Sequence, residues 1–139
     1  YSHLVGDGLS FELDFTANKS VYSSDILITD WSGVALEYCF ATKRPAIFVN
    51  TKIKCMNPNW EKIDCIPVEI SLRDIVGVSI DKERLGECPA VVKELLDRAD
   101  EYEVKISEVL KKHIFNQGHA GEVGADYLLD TLVKKRKNA

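Results

Sequence analysis

The sequence predicts an α/β fold, and three observations predict it. Residues 26–29 (I-L-I-T) and 46–49 (A-I-F-V) are short, continuous, β-branched apolar runs, the pattern of strands covered on both faces. Residues 32–42 between them suffice for one crossover helix and not for further strands, so the three pieces form a βαβ unit, right-handed as such units are. Residues 89–112 repeat apolar side chains at three- and four-residue steps, which predicts a long amphipathic helix.

Each element follows in chain order. Residues 9–15 (L-S-F-E-L-D-F) alternate apolar and polar, as a strand near a sheet edge does, and 18–24 read as a short helical or turn connection. After the helix at 32–42, the cations Lys43 and Arg44 complement its C-terminus and Pro45 stops it. Residues 50–64 have no clean period and carry Pro58, three asparagines and Trp60; a loop of that length in a compact domain is usually functional. Residues 67–71 predict a short strand and 72–76 a turn of helix, for about four strands in all.

In the helix at 89–112, Val91, Leu95, Ala99, Tyr102, Ile106 and Val109 form the apolar stripe, and Pro89 suits the first turn. The N-Q-G at 116–118 ends it, and a second helix starts near Gly121 and runs through Tyr127, Leu128 and Leu132. The basic run K-K-R-K at 134–137 reads most simply as a solvated helix end, with peripheral contact to an anionic membrane surface as the alternative. The chain divides into a βαβ core (1–88) and a helical C-terminal part (89–139).

Composition narrows the function class. A chain of 139 residues is one domain or part of one, and a formal charge of −4 argues against a nucleic-acid binder. No apolar run approaches the roughly 20 residues of a membrane span, and no signal peptide is recognisable. The first residues, with no initiator Met, read as the middle of something longer. Cys39, Cys55, Cys65 and Cys88 are scattered without a C-x-x-C pair, which predicts reduced thiols in a cytosolic protein and no metal site.

The chemistry concentrates in the turn after the first strand. Thr29 and Asp30 fall at the carboxyl end of what reads as a central strand, where open α/β sheets bind ligands. Ser32 can cap the next helix and face a ligand, and Gly33 removes a side chain where backbone would approach a phosphate. The helix's first N–H groups then face an anion. Glu37, one turn on, can accept hydrogen bonds from a ribose diol. Caps of an ordinary buried strand–helix junction use the same residue types, so spacing alone leaves both possibilities open.

The same residues carry a resemblance. D-I-L-I-T-D-W-S-G-V-A-L-E-Y resembles the D-x-L-I-T-D-Y-S-S-x-x-x-D segment of the CDP-glycerol glycerophosphotransferase family, the teichoic-acid-type polymerases and primases, and K-R-P-A-I-F resembles its K-P-I-I-F. Close similarity spans about 25 residues. The resemblance implies a Rossmann-like parallel sheet with flanking helices, part of the C-terminal, donor-binding domain of a GT-B fold. It implies that Thr29, Asp30, Ser32 and Gly33 lie at the donor pyrophosphate and Glu37 near the ribose. Trp31 stands where the family has Tyr, Gly33 where it has a second serine, and the N-P-N-W loop differs from the glycerol polymerases.

The family's H-P motif lies upstream of the matched segment. His3 lacks the following proline, and His113 and His119 read as a helix end and a helix–helix turn, so no catalytic residue is assigned within this chain. What the resemblance implies is a transferase moving a polyol phosphate from a CDP-alcohol, without metal or other cofactor, to a polymer or lipid-linked acceptor. The upstream half of the same polypeptide would complete it, on the cytoplasmic side and peripheral to the inner membrane face, and the fragment alone would be inactive. A GT-B glycosyltransferase using a nucleotide sugar fits the same turn. A non-catalytic α/β interaction module docking through the helix at 89–112 is the alternative of another class.

Overall fold

A computed structural model describes residues 2–6, 8–12, 19–53 and 57–137, and it is an α/β structure built on a three-stranded parallel sheet. The chain falls into two compact units, residues 1–106 and 107–139. In the first unit β1 (Leu27–Thr29), β2 (Ala46–Asn50) and β3 (Gly77–Asp81) lie in that order, with Leu27 opposite Ala46 and Ala46 opposite Gly77. Helix α1 (Lys19–Ser23) precedes β1, and α2 (Val34–Thr42) makes the predicted crossover between β1 and β2.

The core explains why these runs fold together. Ala35, Leu36, Tyr38 and Cys39 of α2 are buried, as are Ala46, Ile47 and Phe48 of β2 and Leu72, Val76 and Ile80 beyond it. A parallel strand covered on both faces is mostly apolar, and Ala46, Ile47 and Phe48 of β2 meet that demand. β1 does not. Ile28 is 50% exposed, so the strand predicted to be covered on both faces is an edge strand among the described residues, and the central strand is β2. The carboxylate-bearing turn therefore leaves the sheet from its edge.

The structure differs from the sequence-based expectations at further places. Residues 9–12 form no strand: Gly6 and Leu9 make an isolated antiparallel bridge, and 13–15 lie outside the described residues. Residues 67–71 are not a strand, because Pro67 caps the short helix α3 (Val68–Ser71), and a run of only four residues cannot separate period two from a helical turn. The predicted turn of helix at 72–76 is α4 (Arg73–Val76), and it feeds the unpredicted strand β3 directly. The sheet has three strands among the described residues, not four. Gly77 begins β3 because a Cβ there would stand 1.9 Å from the Ala46 carbonyl oxygen, so the β2–β3 pairing admits no side chain at that point.

The long predicted helix is two. α5 (Cys88–Asp97) carries Pro89 in its first turn, and α6 (Ala99–His113) follows after Arg98 leaves helical backbone at φ −112°, ψ 21°. Arg98 bridges the break, pairing with Glu94 at 2.8 Å and Glu101 at 3.0 Å. Leu95, Tyr102 and Ile106 of the predicted stripe are buried. In the second unit, Asn116 (φ 55°) and Gly118 (φ 82°) take left-handed backbone in the turn, which Asn and Gly adopt at least cost. α7 (Ala120–Lys137) then exposes Tyr127, Leu128, Leu129 and Leu132. No helix of the described residues is long and apolar enough to cross a membrane.

Candidate functional site

β1 delivers the chain to the site in four residues. Thr29 pairs in register with Phe48, and Asp30, Trp31, Ser32 and Gly33 turn the backbone into α2. Gly33 is the N-cap of α2 and no side chain caps the helix, so Ser32 is not the capping residue its position suggested. Carbonyls of the turn itself take the next amides: Ala35 N–H donates to Ser32 O at 3.3 Å, and Leu36 N–H to Gly33 O at 3.1 Å. The amides of Gly33 and Val34 make no backbone hydrogen bond among the described residues. They are donors of the helix N-terminus that have no backbone partner there.

A cavity of about 70 Å³ opens at this corner. One wall is the turn and first helical residues, Trp31, Ser32, Gly33 and Leu36; the other is Phe48, Glu69 and Arg73. A Cβ on Gly33 would meet nothing within 4 Å, so the protein's own packing does not require glycine there. The volume decides what can enter. Ligand pockets for drug-sized molecules run to roughly 300–1,000 Å³, so this cavity admits a phosphoryl-sized group and not a nucleoside.

Of the residues predicted for the site, Ser32 and Gly33 line the cavity. Thr29 and Asp30 stand beside it at the strand end, half-buried, and Asp30 contributes its carbonyl to the far wall. Glu37 is exposed and outside the lining, so it has no burial cost for a ribose to relieve. Four residues after Gly33, it lies about one helical turn further along α2.

The far wall contains the residue that sequence reasoning missed. Arg73 is only 4% exposed, and its guanidinium carbon lies over two rings, 3.8 Å from the Trp31 centroid and 4.7 Å from that of Phe48. Nη1 donates to the Asp30 carbonyl at 3.2 Å and Nη2 to Asn50 Oδ1 at 3.0 Å. Asn50 Nδ2 donates in turn to Asp81 Oδ1 at 2.9 Å, and the Trp31 indole N–H to the Thr51 carbonyl at 2.8 Å. The carboxyl ends of all three strands are thus tied around one buried cation. Burial lowers the Arg73 pKa more than the neighbouring Asp74 and Asp30 carboxylates restore it. One arginine inside the apolar run I-S-L-R-D-I-V was the available signal, because a charge there must be either solvated or partnered.

Chemically, the corner offers an uncapped helix start, a hydroxyl and a desolvated guanidinium around a small space. That set stabilises negative charge on oxygen. No protein-family model, no curated protein and no solved structure matches the chain.

Proposed function

We propose that the chain is the donor-binding part of a transferase that moves a polyol phosphate from a CDP-linked alcohol to a polymer or lipid-linked acceptor, within a GT-B-type enzyme. One observation carries the assignment: Ser32 and Gly33, the residues of the transferase-like T-D-W-S-G turn, line a phosphoryl-sized cavity at the carboxyl ends of parallel strands. In such a reaction an acceptor hydroxyl attacks the β-phosphorus of the donor, the P–O bond to CMP breaks, and a base outside this chain takes the hydroxyl proton. This chain's share is to hold the diphosphate and to offset the charge that grows on departing CMP.

The nucleoside is too large for the cavity, so it lies outside it, along the face of α2 that exposes Val34 and Glu37. There the exposed Glu37 is the carboxylate that the ribose diol meets in this reading. The acceptor and the remaining half of the enzyme act from the cytoplasmic side, at the membrane's inner face.

Calorimetry on the full-length protein with CDP-glycerol, CDP-ribitol and UDP-sugars tests the assignment. Binding of a CDP-alcohol is expected, with loss of affinity in Gly33→Leu, whose added side chain enters the cavity while meeting no protein atom at its Cβ. Preference for a UDP-sugar would move the protein to the nucleotide-sugar glycosyltransferases. Absence of any nucleotide binding would remove the assignment and leave an α/β module of another role.

A further inference from the structure

We propose that Arg73 is itself a ligand of the phosphoryl group, supplying the cation of the site across the cavity from Ser32 and Gly33. The inference rests on the donor-binding reading and deepens it by adding a residue that lies some forty positions downstream of the motif (73 against 32 and 33).

The geometry of the guanidinium carries the proposal. Arginine offers five N–H donors in one plane. The guanidinium carbon of Arg73 stands over the rings of Trp31 and Phe48, and an anion pairs with such a planar cation through the N–H edge. Two edge donors reach Asp30 O and Asn50 Oδ1, and these bonds fix the orientation of the rest while Arg73 remains part of the cavity lining. Both of those acceptors are neutral oxygens, while the neighbouring Asp74 and Asp30 carboxylates offset part of the charge. A planar donor edge on a desolvated cation matches phosphate oxygens better than any other common anion except carboxylate.

A purely structural strut is the competing account. It explains the two hydrogen bonds, but a neutral donor would serve them at less desolvation cost. Glu69 lines the same cavity from α3, yet it is exposed, and its charge is screened by solvent where that of Arg73 is not. The cavity volume of about 70 Å³ limits the contact to a single phosphoryl group.

The test uses full-length protein, with inorganic pyrophosphate and CDP as probes, in wild type, Arg73→Gln, Arg73→Lys and Ser32→Ala. Thermal melts establish that each variant folds. Arg73→Gln is expected to weaken both probes about tenfold or more, with Arg73→Lys restoring part of the loss, since charge returns without the planar fork. Wild-type protein that binds neither probe overturns the donor-binding reading and this inference with it. Wild type that binds CDP while folded Arg73→Gln binds it equally well overturns only the assignment of Arg73. Should Arg73→Gln fail to fold, wild-type protein labelled with ¹⁵N-arginine decides: pyrophosphate shifts the Arg73 Nε–H resonance if the contact exists, and an unmoved resonance at saturation sinks it.

Discussion

The two walls of the cavity are built in opposite ways. Trp31, Ser32, Gly33 and Leu36 come from one stretch of chain whose turn closes on its own carbonyls, whereas Phe48, Glu69 and Arg73 arrive from β2, α3 and α4. The first wall is local structure, set by a strand running into a helix. The second exists only once the sheet has assembled, and its cation is held by long-range bonds to Asp30 and Asn50. A site made this way can keep its local wall while losing its assembled one.

The largest expected effect breaks the assembled wall. Phe48 is 2% exposed, and its ring centroid lies 4.7 Å from the Arg73 guanidinium carbon. Phe48→Ala should cost about 3–5 kcal/mol, read by urea denaturation, and should abolish the order of Arg73 in the same step. Next comes Gly77→Ala, which forces a methyl against the Ala46 backbone and should cost about 1–3 kcal/mol or more. Because the obstruction is backbone, no side chain can move aside, and a Gly77→Ala protein as stable as wild type would contradict the β2–β3 register.

The third test acts where α2 leans on the second wall. Cys39 is buried, its Sγ lies 3.7 Å from the Val76 carbonyl, and burial pushes its thiol up to about 12 from an ordinary 9.0. A raised pKa in the folded state means that the fold holds the proton more tightly than the unfolded chain does. The contribution of Cys39 is therefore complete below pH 9 and is lost as pH rises toward about 12. Denaturation at about pH 8 and about pH 11, compared with Cys39→Ala, should show a steeper decline in the wild type. Equal slopes would mean that the thiolate is solvated at no cost.

The smallest effect sharpens the comparison from the other side. Ser32 provides no helix cap, so Ser32→Ala should change stability by less than about 0.5 kcal/mol while weakening pyrophosphate binding. A loss near the 1 kcal/mol typical of an N-cap serine would return Ser32 to a structural role.

The same division governs what the sequence disclosed. The β1–α2–β2 unit was legible because its runs are continuous, its helix is bounded by Gly33 and by Lys43–Pro45, and each signal lies within a dozen residues. Even there, burial misled: I-L-I has the composition of a covered strand, yet Ile28 lies half in solvent, because composition does not say how many neighbours a strand has. Around the other wall, V-E-I-S after Pro67 imitates a strand over too few residues, and G-V-S-I-D is too short to stand out from a turn. Arg73 was invisible for a different reason. Its partners Trp31, Phe48, Asp30 and Asn50 lie 23 to 43 positions away in sequence, and no local pattern encodes their meeting.

The indole of Trp31 has a practical use. Stacked on a guanidinium and pinned through its N–H to the Thr51 carbonyl, it sits in the lining of the cavity, while Trp60, the other tryptophan, is in a separate exposed turn. With Trp60 replaced by phenylalanine, this chain's tryptophan emission comes from a single indole placed where a guest would arrive. Occupancy of the corner becomes readable as a change in light from the native polypeptide, with no dye attached.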